Sequence, residues 1–201
     1  LQGADVSEYR SAGFEDVPAD AWYAPYVNWA AANGIVYGIL STEFAPNANI
    51  SRQDMAVMLD RYAQQFGIVL GTDNAAVTFT DEADIAAYAL PAVQALQRAG
   101  VINGMTATTF APAANVTRAQ FVTMIARLAD ADVSGYASGP FADVPAGSWY
   151  APYVNWAAAN GIVNGTSATT FDPNTTISRQ DMAVMLYNYT QHFGVQLDQK
   201  T

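Results

Sequence analysis

The apolar residues of this chain recur at helical intervals. Met55, Met58, Leu59, Tyr62 and Phe66 stand at i, i+3, i+4, i+7 and i+11, which places one stripe along an α-helix. The stripe returns as Phe121, Met124, Ile125 and Leu128, and again as Met182, Met185, Leu186, Tyr189 and Phe193. Ser51, Thr117 and Ser178 precede these stripes, and Asp54, Gln120 and Asp181 follow three residues later. Hydroxyl and returning side chain then satisfy orphan backbone N–H groups as a capping box, most completely in the Thr117–Gln120 copy. Upstream of each capped helix the pattern predicts another. It begins near Pro25, Pro91 or Pro152 and ends at Gly34, Gly100 or Gly161, where proline suits the first turn and glycine the left-handed cap. Trp22, Tyr26, Val27, Trp29 and Ala30 leave Asn28 and Asn33 as the main polar interruptions, so this helix should pack on more than one side.

The chain therefore reads as three helix-loop-helix units. Residues 14–67 and 141–194 align without a gap at an offset of 127 and match at 39 of 54 positions, fifteen of them consecutive from Trp22 to Val36. A more divergent copy occupies 79–130, offset by 66 over most of its length, with one extra residue near Glu82 to Asp84. The segments between, Ile68 to Thr78 and Ala131 to Pro140, are rich in Gly, Ser, Asp and Asn and read as linkers. Within each unit a loop carries Gly38, Gly104 or Gly165, then Phe44-x-Pro46, Phe110-x-Pro112 or Phe171-x-Pro173, and such fixed offsets imply a defined path. One isolated pair of helices cannot bury both elements, so the units are expected to close on one another around a shared core. The fold class is all-α.

Composition narrows the function. No cysteine occurs, which excludes disulfide scaffolds, cysteine-ligated metals and thiol enzymes. The 201 residues are 51% apolar, ample for a core, yet no stretch of eighteen apolar residues exists to insert into a membrane. A formal charge of −10 repels nucleic acid and anionic lipid. The chain opens at Leu1-Gln2-Gly3 with neither a basic n-region nor an apolar h-region, so any export signal is expected to have been removed or to lie outside this sequence.

Three of only eight basic residues stand at one equivalent place. Arg52, Arg118 and Arg179 follow the cap in all three copies, where the helix dipole disfavours a cation by about 0.3–1 kcal/mol. An anionic ligand held jointly by the guanidinium fork and the free N–H groups would compensate. The alternative is a brace, an ion pair with Asp16, Asp81 or Asp143 of the Phe-x-Asp start of each unit. On the ligand reading, truncating one arginine should cost folding less than about 1 kcal/mol. Trp22, Tyr88 and Trp149 keep one position aromatic throughout, whereas Trp29 and Trp156 give way to Ala95. Sugar rings stack on such side chains, although aromatics at helical spacing also build cores. Tyr37, Asn103 and Asn164 vary at one loop position beside the glycine, as three pockets of different preference or an exposed turn would. Catalysis has little support. The single histidine, His192, lies near a helix end, and no paired carboxylates or phosphate loop recur. Asp73, Asp81, Glu82 and Asp84 do not form a twelve-residue calcium loop and read as a solvated acidic segment, so neither metal nor cofactor is expected.

Phe14-x-Asp16-Val17-Pro18, Trp22-Tyr23, Gly34-Ile35, Phe44-x-Pro46 and Ile50-Ser51-Arg52-Gln53-Asp54 together strongly resemble the S-layer homology family of bacterial surface proteins. The resemblance covers about four fifths of the chain. It implies a pseudo-threefold unit around a central three-helix bundle, with grooves between repeats. It further implies that these grooves bind a secondary cell-wall polymer, commonly bearing pyruvate ketals, and so anchor an attached protein to the cell wall without a covalent bond. The family's Thr-Arg-Ala-Glu hallmark maps onto Arg52, Arg118 and Arg179, with Ser for Thr twice, Gln for Ala twice, and Asp54, Gln120 and Asp181 for Glu. The competing reading is a structural or assembly module in which the arginines only brace the repeats.

Overall fold

The computed structural model describes residue 9 and residues 11–193; Leu1 to Gly3 and Gly194, the expected last position of the third repeat, lie outside that range. Among the described residues six α-helices form: α1 (Ala24–Ala32), α2 (Arg52–Gln65), α3 (Leu90–Arg98), α4 (Arg118–Leu128), α5 (Ala151–Ala159) and α6 (Arg179–Phe193). No β-strand occurs among the described residues, and none of their helices is long and apolar enough to cross a membrane. The fold is all-α. Proline sits at the start of α1, α3 and α5, and Gly34, Gly100 and Gly161 adopt φ of +67°, +73° and +67° just beyond their ends. The additional residue of the second repeat is absorbed by a single 3-10 turn, Glu82–Asp84.

Each capped helix starts as its side chains require. The amides of Asp54, Gln120 and Asp181 donate to the hydroxyls of Ser51, Thr117 and Ser178, and Gln120 Oε1 accepts from the Thr117 amide to complete the box on α4. Among the described residues Asp54 and Asp181 show no such return bond. They accept from their own cap hydroxyls at 2.6 and 2.7 Å.

Helices of one repeat do not pair with each other. Instead α1 packs on α6, α3 on α2 and α5 on α4, so every first helix rests on the second helix of the preceding repeat, with the third repeat preceding the first. The second helices meet in turn: α4 touches α6, and Tyr62 Oη of α2 lies 2.7 Å from Thr190 Oγ1 of α6. Above them Val116 N donates to Ile50 O, Ile177 N to Val116 O, and Ile50 N to Ile177 O, at 3.0, 2.9 and 3.4 Å. Three buried residues thereby close a ring of backbone hydrogen bonds through all three repeats. One continuous cluster of buried side chains, Trp29 and Trp156 among them, forms the core.

The segments expected to be linkers are docked. Asn155 Nδ2 donates to Tyr136 O at 3.0 Å, and Asn74 and Gln97 tie residues 74–77 to the end of α3; ahead of the first repeat, Asn28 Nδ2 donates to Tyr9 O in the same way. Tyr9, Val133 and Tyr136 rest on the core. Polar, glycine-rich composition signalled irregular backbone here, but not mobility.

Candidate functional site

The three arginines are buried, with 2%, 8% and 7% of Arg52, Arg118 and Arg179 exposed. Each reaches into the following repeat. Arg52 donates from Nε to Phe110 O at 2.8 Å and from Nη2 to Asn103 O at 2.6 Å. Arg118 treats Phe171 O and Asn164 O likewise at 2.9 and 3.1 Å, and Arg179 treats Phe44 O and Tyr37 O, both at 2.8 Å. Every guanidinium also lies 4.5–4.7 Å over the ring of the same phenylalanine, a cation–π contact. Burial pulls the Arg52 pKa down to about 10 although nearby Asp81 opposes the shift, and it lowers Arg118 and Arg179 in the same direction.

Two sequence expectations change at this point. The helix N-termini are not open to a ligand, because the following repeat already fills them. Arg52 N and Gln53 N donate to Ala114 O and Pro112 O, and the corresponding amides of α4 and α6 donate to Thr175 O, Pro173 O, Ala48 O and Pro46 O. The arginines do brace the repeats, but against carbonyl oxygens instead of carboxylates.

Asp16, Asp81 and Asp143 have a different task. Each carboxylate accepts from two consecutive amides, Phe44 and Ala45, Phe110 and Ala111, or Phe171 and Asp172, at 2.6–2.8 Å. The second residue of each pair holds a left-handed φ of +57° without being glycine, a conformation that costs about 1–2 kcal/mol. Burial alone would raise the Asp81 pKa, yet the amides of Phe110, Ala111 and Asp81 itself, together with the Arg52 charge, hold the carboxyl below its usual range. An Asp therefore fixes the amide side of a peptide loop whose carbonyl side receives the arginine. These acids set the loop from behind.

Exposed side chains surround each buried arginine. Trp22, Tyr88 and Trp149 are 61%, 62% and 58% exposed, in contrast to the core tryptophans. Tyr37, Asn103 and Asn164 are exposed beside Gly38, Gly104 and Gly165. A Cβ on Gly104 would stand 2.4 Å from Thr106 O and 2.8 Å from the Phe79 ring, with equivalent clashes at the other two, so the loop turns there only with glycine. The arrangement opens as a groove with a cavity of about 340 Å³, lined by Arg52, Asn103, Gly104, Gln120, Arg127 and Trp149, among others. Groove 1 therefore takes its arginine from the first repeat, its loop and helix wall from the second, and its tryptophan from the third. The repeat-equivalent positions are Arg118, Asn164, α6 and Trp22, termed groove 2, and Arg179, Tyr37, α2 and Tyr88, termed groove 3. Tyr88 Oη donates to Asp54 Oδ1 at 2.6 Å, which ties that aromatic to the wall of groove 3.

Sequence reasoning missed a second cation. Arg127 lines groove 1, and Arg61 occupies the same helical position on α2, stacked 4.4 Å over the Tyr37 ring. The repeat offset links Arg61, Arg127 and Asn188, and comparing the copies there would have found them.

Comparison with known proteins agrees with this architecture. The S-layer homology domain profile matches residues 13–56, 78–122 and 140–183, about two thirds of the chain. The chain belongs to the S-layer homology family of cell-surface anchoring modules. It is 28% identical over 196 residues, 96% of its length, to an S-layer protein of Bacillus thuringiensis subsp. finitimus, of which it covers 23%. It is equally identical over 95% of its length to the S-layer protein sap of Bacillus anthracis, again covering 23%. An endo-1,4-beta-xylanase A of Thermoanaerobacterium saccharolyticum is 38% identical over 53% of the chain, but only 9% of that enzyme is involved. The chain thus spans about a quarter or less of these relatives.

Proposed function

We propose that this chain is a non-covalent anchor holding a larger secreted protein on the bacterial cell wall by binding secondary cell-wall polymer, in pyruvylated form, in the three grooves. The observation that carries the reading is groove 1, where an exposed tryptophan, an exposed loop amide and two arginines converge on one open cavity. Aromatic faces suit the C–H faces of sugar rings, and guanidinium groups suit a ketal carboxylate. Arg52, Arg118 and Arg179 serve both purposes on this reading: they lock the repeats and offer the rest of the fork to ligand. Trp22, Tyr88 and Trp149 stack on sugar, Tyr37, Asn103 and Asn164 set local preference, and Asp16, Asp81 and Asp143 act only by shaping the loops. The cyclic contacts support a pseudo-threefold axis through the second helices. The proposed role is attachment, not turnover; the xylanase relative matches over too little of its length to lend this chain its activity.

Co-sedimentation with purified cell-wall sacculi tests the anchor. The chain should sediment with intact sacculi and stay in solution once the secondary polymer has been extracted. Equal sedimentation with both, or with neither, sinks the proposal.

A further inference from the structure

The three grooves differ in charge at two wall positions. At the third position of the second helix stand Gln120 in groove 1, Asp181 in groove 2 and Asp54 in groove 3. At the position two turns further along stand Arg127, Asn188 and Arg61. Adding the buried arginine of each, groove 1 carries two cations and no wall acid, groove 3 two cations and one acid, and groove 2 one cation and one acid. In groove 1 the second cation is placed by the loop. With its amide nitrogen donating to Ile102 O, Asn103 accepts from Arg127 Nη1 at 3.1 Å, and the guanidinium lies 5.7 Å from the Tyr153 ring. In groove 3 the Arg61 guanidinium is covered on one face by Tyr37. In groove 2 Asn188 donates to Ile162 O at 3.2 Å and brings no charge.

We infer that the grooves are graded by charge, so that groove 1 takes a carboxylate-bearing sugar through Arg127 while groove 2 takes a neutral one. This deepens the anchoring proposal and rests on it. The physical argument is local. In a chain of charge −10 the long-range field repels an anion, and salt screens it within about 10 Å, so selection falls to the cations inside each groove. Two guanidinium groups with no acid on the helix wall favour the carboxylate, whereas Asp181 and Asp172 near Arg118 offset the single charge of groove 2. Arg127 is a specificity-determining residue on this argument, and Arg52 a shared one.

Exposed Trp149 and Trp22 report the two grooves separately. The whole chain is titrated with two N-acetylhexosamine methyl glycosides differing only in a 4,6-ketal, one carboxyethylidene and one isopropylidene, while the indole N–H resonances are followed. Trp149→Phe and Trp22→Phe assign the signals. The carboxylated sugar should shift Trp149 at concentrations roughly tenfold lower than Trp22, and the neutral sugar should show no such preference. Arg127→Gln should abolish the preference, Arg127→Lys should keep much of it, and Asn188→Arg should bring Trp22 toward Trp149. If Arg127→Gln fails to fold, the wild-type preference and the Asn188→Arg gain still decide. Equal midpoints at both indoles for the carboxylated sugar, or a preference unchanged in Arg127→Gln, overturn the grading and leave the anchor standing. If neither sugar moves either indole, the anchoring proposal falls as well.

Discussion

Arg118 shows how a residue can be found by position and still be misjudged by environment. Its place in the repeat marks it out, but its burial makes it part of the fold before it can be part of a site. Replacing Arg118 by Ala removes two charge-assisted hydrogen bonds and a cation–π contact, and leaves the Phe171 and Asn164 carbonyls without their donor. The expected loss is about 2–4 kcal/mol, well above the 1 kcal/mol expected from sequence, and Arg118→Lys should recover only part because it lacks the planar fork. Urea unfolding of the two variants checks this; an Arg118→Ala protein as stable as wild type would contradict the brace. Tyr88 offers a test by titration. Its hydrogen bond to the Asp54 carboxylate is the main cause that pushes its pKa up to about 12, with partial burial adding to it. Because the folded value lies above the ordinary one near 10, this contact stabilises the fold fully below about pH 10 and is lost as pH rises through about 12. Asp54→Ala should return the Tyr88 titration toward 10, as read from ring-carbon shifts; an unmoved titration would mean Asp54 does not set it.

Among the elements, the second helices depend on the next repeat from their first residue onward. Two N-terminal amides of each are satisfied by carbonyls of a foreign loop, and the cap hydroxyl satisfies another. On α4 the cap is reciprocal, so Thr117→Ala should cost about 1 kcal/mol and lower the thermal midpoint by a few degrees, whereas Thr117→Ser should change little. Calorimetry on both variants decides it, and a Thr117→Ala protein melting with wild type would show that the loop carbonyls alone hold the helix start. The first helices depend on others differently: α1, α3 and α5 bury apolar residues on a neighbour's helix, and the apolar pattern surrounds the axis in α1 and α5 but keeps to one face in α3.

At the scale of the molecule, no repeat is complete alone. The ring of Ile50, Val116 and Ile177, the swapped helix pairs and the three-part grooves all need three copies. Thermal unfolding should therefore be one cooperative transition, with calorimetric and van't Hoff enthalpies in agreement. Residues 11–130 on their own should lack dispersed amide resonances, since α1 loses α6 and α4 loses α5. Separable transitions, or a folded two-repeat fragment, would refute a single closed unit.

Periodicity, caps and glycine positions determined the six helices, where each starts, where the first helix of each unit ends, and the threefold repetition, because each depends on chemistry within a few neighbouring residues. The same local logic picked out Arg52, Trp149 and Asn103, which line one cavity, since repeated copies of one chain display what a position tolerates. Only the tertiary structure decided that the arginines bind carbonyls of the next repeat, that Asp16, Asp81 and Asp143 pin left-handed loop residues, and that the linkers are docked. Those outcomes follow from contacts between residues 19 to 142 positions apart, and hydrogen-bond partners at such distances leave no period in a sequence. Burial made the difference: a guanidinium at a helix start can face water, a ligand or a neighbour's backbone, and the closure of three repeats on one another chose the backbone.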